Sequence, residues 1–276
     1  MQPISKLKEN LPIRYDLTLS FVLSLIIAFL MTVASVVSLV LRASVYPTEE
    51  LSKTFIPNDL INLIIGLPLL LLAMWLARRG QVVGLLCWPG ALFFIVYNYI
   101  AYLFAVPLSA VFLLHMVLVA LSIYSMILLL ASISPDEAAQ LLRASVPNAM
   151  AAGVLAPLGA IFFIRVIVVI IQSFGARTPM PQSELAVNVA DFLVTPSWII
   201  GGILLWFKKP FGYIAALGLL FQASMLFISL ILFMLLQPIL TSSPIPAWDI
   251  VIVCLMGMAC FVPTVLFARG VMAKQA

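Results

Sequence analysis

Charged side chains are scarce in this chain. Asp, Glu, Lys and Arg make up 9% of its 276 residues, where a soluble domain carries roughly a quarter. With 64% hydrophobic residues and a mean hydropathy of +1.23, there is too little polar surface to cover a water-soluble globule. The solvent of this protein is therefore largely lipid. Histidine occurs once, as His115, which excludes a metal site built from several histidines. The three cysteines, Cys87, Cys254 and Cys260, lie inside apolar segments with no CxxC. A thiol-disulfide enzyme needs two nearby exchangeable thiols, so these read as buried apolar side chains. HExxH, GxSxG and clustered acidic metal sites are all missing, and no motif calls for a cofactor. The net charge of +4 raises the question of nucleic acid. The basic residues sit singly or in pairs at the ends of apolar segments, which is membrane-flank behaviour, and nucleic acid is excluded as a partner.

What is present is a series of long apolar runs. A bilayer core needs about 20 apolar residues in a helix. Eight segments qualify: about 17–41, 58–77, 82–104, 109–133, 149–173, 188–207, 211–236 and 248–268. The first, Leu17 to Leu41, is too long for a signal-peptide core of roughly 7–15 residues and is kept as a span. The fold class expected is all-α, a polytopic transmembrane helix bundle forming one integral membrane domain over 1–276.

Orientation follows from the distribution of Lys and Arg. With the N-terminus inside, the cytoplasmic segments hold Lys6, Lys8, Arg14, Arg78, Arg79, Arg143, Lys208, Lys209, Arg269 and Lys274. The outer loops hold Arg42, Lys53 and Arg177, so the count is ten against three, with Arg165 left in the membrane. An even number of spans places both termini in the cytoplasm. The connector SPDEAAQLLRASVPN, 134–148, reads as a short helix: Ser134 is a candidate N-cap, Pro135 suits the first helical position, and Glu137 completes a capping box. Leu141 and Leu142 are placed at the lipid interface.

The second and sixth spans look alike. Each starts with Asn and Asp, contains a proline, passes a Trp, and stops at a basic pair. Candidate repeat halves are 1–133 and 149–268, and halves of four spans would make the repeat parallel rather than inverted. Transporters often bind their solute between such halves.

Topology turns positions into depths. Arg165, in AIFFIRVIVVIIQ, lies about 16 residues into the fifth span, roughly 24 Å along at 1.5 Å per residue. Asp59 and Asn62 open the second span one turn apart, and Asn188, Asp191 and Thr195 open the sixth at i, i+3 and i+7. Asn98 and Tyr102 share a face near the outer end of the third span, and His115 lies about two turns into the fourth. Asp249 begins the eighth span, where capping alone accounts for it. Intramembrane charges usually face a bundle interior and pair there. A polar pocket opening outward is expected, lined by Arg165, Asp59, Asn62, Asn98, Tyr102, His115, Asp191 and Asn188. Arg165 either snorkels to the surface or pairs inside the bundle with Asp59 or Asp191. The inner half looks dry beyond Ser and Thr.

At DLINLIIGLPLLLLAMWLARRG (59–80) and YNYIAYLFAVPLSAVFLLH (97–115) the chain resembles a group of prokaryotic multi-pass integral membrane proteins that have no assigned activity. They share an Asp-led second span ending in Ala-Arg-Arg-Gly, followed by a Tyr-rich third span. The resemblance covers about 55–130 and implies placement in a prokaryotic plasma membrane, and no activity. Members of the group often carry Tyr where this chain has His115.

Three functions fit these observations. The first is binding or transport of a small solute or lipid headgroup, with Arg165 holding an anionic group and Pro68, Pro157, Pro196 and Pro263 allowing flexure. The second is a membrane-embedded enzyme with an outer-face site, using Asp59 or Asp191 as base and His115 as proton shuttle. The third is a structural or partner-binding subunit. Membrane lipids are partners in all three.

Overall fold

The computed structural model describes residues 11–175, 179–241 and 243–274. Lys6, Lys8 and Arg177 of the charge count lie outside the described residues. Each expected segment is a helix, and eight helices among the described residues are long and apolar enough to cross a membrane: Thr18–Val40, Glu49–Arg78, Val82–Ala105, Ala110–Ser132, Asn148–Phe174, Gln182–Trp206, Pro210–Thr241 and Ala247–Met272. No strand occurs among the described residues. The chain is thus an all-α, polytopic helix bundle of the multi-pass membrane class.

Two helices start earlier than their apolar runs. The second span begins at Glu49, capped by Thr48, whose side chain accepts from the Leu51 N–H at 3.2 Å. Its polar first turns are anchored when Ser183, opening the sixth span, donates backbone N–H and hydroxyl to Glu50 at 2.8 and 2.6 Å. Hydropathy alone misses such a segment, because its first turns are polar. Within the same span, Asn62–Gly66 is a π turn. Pro68 lacks an N–H and its ring crowds the carbonyl one turn back, and the wider π turn directly before it absorbs that mismatch. Only four residues separate the third and fourth apolar runs, 82–104 and 109–133, and the fourth helix starts at Ser109, whose side chain accepts from the Phe112 N–H at 3.2 Å.

The third span is the axis of the bundle, packed against the second, fourth, sixth and seventh. Gly90 makes this closeness possible: a Cβ there would lie 2.1 Å from the Gly218 carbonyl oxygen of the seventh span. Without a hydrophobic drive between helices in lipid, small-residue contacts and interhelical hydrogen bonds hold spans together. Ser24 of the first span links to Ser125 of the fourth at 3.1 Å and accepts from the Trp88 indole at 3.0 Å. Ser224 and Thr264 join the seventh and eighth at 2.9 Å.

Two local expectations change. The connector helix Pro135–Leu142 forms with Ser134 at its N-cap, but the Ser134 side chain makes no capping bond. Its backbone N–H instead donates to the Pro12 carbonyl at 2.8 Å, tying the chain before the first span to the end of the fourth. Leu142 is fully buried, because the connector packs on the seventh span rather than lying on lipid. Gln222, midway along the seventh span, is fully buried and accepts from the Trp198 indole at 2.6 Å.

Candidate functional site

The connections at 41–48 and 106–109, with the starts of the second and fourth spans, form what we call the tyrosine end of the bundle. The basic pairs Arg78-Arg79 and Lys208-Lys209 lie at the opposite, basic end. Asp59 enters from the second span one turn before the π turn and is 1% exposed. Tyr46, in the connection between first and second spans, donates its hydroxyl to Asp59 Oδ2 at 2.6 Å. Tyr102, from the third span, donates to Oδ1 at 2.8 Å. Both carboxylate oxygens therefore accept from a phenol. Asn62, one turn after Asp59, donates to the Tyr102 oxygen at 3.4 Å. Among the described residues no Lys or Arg pairs with Asp59.

Aromatic rings enclose this carboxylate. Phe55 stacks on Tyr46 with ring centroids 5.8 Å apart and leans on Tyr102 at 4.7 Å. His115 leans on Tyr99 at 5.3 Å and on Tyr102 at 4.7 Å. The His115 ring is fully buried, and neither of its nitrogens has a hydrogen-bond partner among the described residues. Buried polar groups are almost always paired, and this imidazole beside the Asp59 cage is one of several exceptions here.

A second polar group lies on another face of the third span. Tyr97 donates to Asp191 Oδ1 of the sixth span at 2.9 Å, and Arg165 Nη1 of the fifth reaches Asp191 Oδ2 at 3.5 Å. Arg165 thus pairs with Asp191, and not with Asp59. It does so from outside the bundle: its side chain is 49% exposed, against 10% for Asp191. Of the two readings of Arg165, the pairing with Asp191 is present, but its stripe of the fifth span, with Ile161, Ile164 and Val168, is exposed rather than turned into the bundle. The guanidinium reaches sideways to its carboxylate.

Of the expected site residues, the structure brings together Asp59, Asn62, Tyr102 and His115 in one group and Arg165 with Asp191 in another. Asn98 donates back to the Phe94 carbonyl of its own helix at 3.0 Å, and Asn188 donates to the Met180 sulfur at 3.6 Å, so neither bonds to either centre. Asp59, Asn62, Asn188, Tyr102 and His115 are each exposed by 1% or less, a packed arrangement rather than an open vestibule. A cavity of about 250 Å³ lies elsewhere, among apolar side chains of the third, fourth, sixth and seventh spans. Two donors were missed as site residues. Tyr97 reads as one more ring of a Tyr-rich segment, and Tyr46 sits in a loop with no periodicity to assign it a face. Among the described residues no three His, Cys, Asp or Glu side chains gather as metal ligands.

Comparisons with protein-family models, curated proteins and solved structures find no match to this chain. The class, a multi-pass membrane helix bundle, rests on the fold itself.

Proposed function

We propose that the protein binds or transports a small solute and that Asp59 is the group that gains and loses a proton in doing so. One observation carries this reading: an enclosed carboxylate, caged by two phenol donors, with no Lys or Arg partner among the described residues. Intramembrane ionisable residues mark ion and proton pathways. Among the described residues no cation balances Asp59, and the packing around it admits a proton more readily than an organic ion. A tyrosine hydroxyl both donates and accepts. On protonation of Asp59, Tyr46 or Tyr102 can reverse its bond without moving a helix. The π turn beginning at Asn62 places a change of helical pitch directly beside the carboxylate, as such turns often do at functional sites.

The tyrosine end faces outside in this reading, with both termini cytoplasmic in a prokaryotic plasma membrane. The ten-to-three distribution of basic residues supports that placement. The packing leaves no open space for a lipid headgroup at this centre, and the species exchanged at Asp59 in this reading is a proton. The test is infrared difference spectroscopy of the purified protein across a pH titration. A protonated-carboxyl band that titrates in the wild type and is missing in Asp59→Asn supports the assignment, and identical spectra overturn it.

A further inference from the structure

The cavity near the basic end has no part in the Asp59 centre. Its walls are Met126 and Leu130 of the fourth span, and Ser197, Ile200, Gly201 and Leu204 of the sixth. Its floor is Gly90 of the third span against Gly218 of the seventh. The fourth and sixth spans hardly touch, so the space between them is a furrow open to the bilayer. Ser197 is the one polar side chain among its lining residues. Ile200 and Phe211 stand at its rim, 58% and 44% exposed.

The shape of the furrow limits what can occupy it. From Ser197 to Leu204 it follows seven residues of the sixth span, roughly 10 Å at 1.5 Å per residue. From Phe211 to Leu219 it follows eight residues of the seventh, roughly 12 Å. It therefore runs along the helix axes, the direction of a lipid chain. A furrow of about 250 Å³ in this direction takes a single hydrocarbon chain along its length.

Charge bears on which lipid. Leu204 and Phe211 of the furrow flank in sequence the turn that joins the sixth and seventh spans and carries Lys208 and Lys209, both exposed. Neither belongs to an ion pair among the described residues. Trp206 and Phe207 beside them are 60% and 68% exposed, the placement of an aromatic belt at headgroup level. We propose that this furrow is a binding site for an anionic phospholipid, with one acyl chain between the fourth and sixth spans and the headgroup against Lys208 and Lys209.

The experiment compares phosphatidylglycerol with phosphatidylcholine of matched chains, added to the purified protein in neutral detergent. A ligand that binds only the folded state raises the unfolding midpoint. Phosphatidylglycerol should raise the midpoint by several degrees more than phosphatidylcholine. The exposed double change Lys208→Asn, Lys209→Gln should level the two lipids. Ala215→Phe, which fills the furrow, should remove the response to both; Ser197→Phe serves if that variant does not fold. Asp59→Asn should keep the full response, which separates this site from the proton centre. Equal shifts from the two lipids in the wild type mean annular lipid only and overturn the proposal. Survival of the difference in the lysine variant does the same. If neither filling variant folds, native mass spectrometry of the wild type and the lysine variant decides by retention of phosphatidylglycerol.

Discussion

Tyr102 donates its hydroxyl to Asp59 at 2.8 Å across the interface of the third and second spans, and both side chains are shut off from solvent and lipid. Five residues earlier on the same helix, Tyr97 makes the corresponding bond to Asp191 of the sixth span at 2.9 Å. The central helix thus carries one phenol for each of the two Asp-led spans. Among the described residues, one carboxylate has a basic partner and the other has none.

Removing a donor from the Asp59 cage should be costly. A hydrogen bond to a charged group contributes about 1.5–3 kcal/mol. Tyr102→Phe is expected to destabilise the protein by about that amount, and Tyr46→Phe comparably, as read by denaturant unfolding in detergent. The double variant should not be additive, because both hydroxyls serve one carboxylate.

His115 should respond in the opposite direction. Its ring nitrogens are buried without partners, and an unsatisfied buried polar group costs about 1–3 kcal/mol. His115→Phe keeps the ring packing against Tyr99 and Tyr102 and should leave stability unchanged or raised. A clear loss in the unfolding midpoint would show that the imidazole holds a bound group in the folded protein.

The Arg165–Asp191 pair predicts a rescue. Arg165→Gln leaves Asp191 with Tyr97 alone and should lower stability, and adding Asp191→Asn should recover part of that loss. A coupling of at least about 0.5 kcal/mol in the double-mutant cycle is the expected outcome. Strict additivity would mean that the 3.5 Å contact does no work.

Gly90→Ala tests the packing of the bundle axis. Its methyl would meet the Gly218 carbonyl at 2.1 Å, backbone against backbone, so the third and seventh spans must separate. Overpacking of this kind costs about 1–3 kcal/mol, and the thermal midpoint should fall accordingly. Gly153→Ala, where nothing lies within 4 Å, is the control and should be neutral.

Much of this fold was legible in the sequence because lipid imposes a simple rule. Each run of about 20 apolar residues became a helix, and Ser109 marks the short break between the third and fourth through a local capping bond. That polar residues of several spans gather was legible too, since Asp59, Tyr102 and His115 do meet at one end of the bundle. Which face each residue occupies was not. Arg165 sits in a uniformly apolar helix, where no hydrophobic periodicity separates the lipid side from the bundle side. Tyr46 was invisible for a different reason: its contact with Asp59 depends on how the 41–48 connection folds over the second span. The furrow depends on two helices that fail to touch, a property of packing that no single segment encodes.

The central claim is that Asp59 takes up and releases a proton inside the membrane. The most direct measurement is the protonated-carboxyl infrared band of wild type and Asp59→Asn across pH, in the same detergent and lipid. A titrating band present in the wild type and lost in the variant is the predicted result. A wild-type spectrum that does not change with pH, or a titrating band that survives in Asp59→Asn, contradicts it.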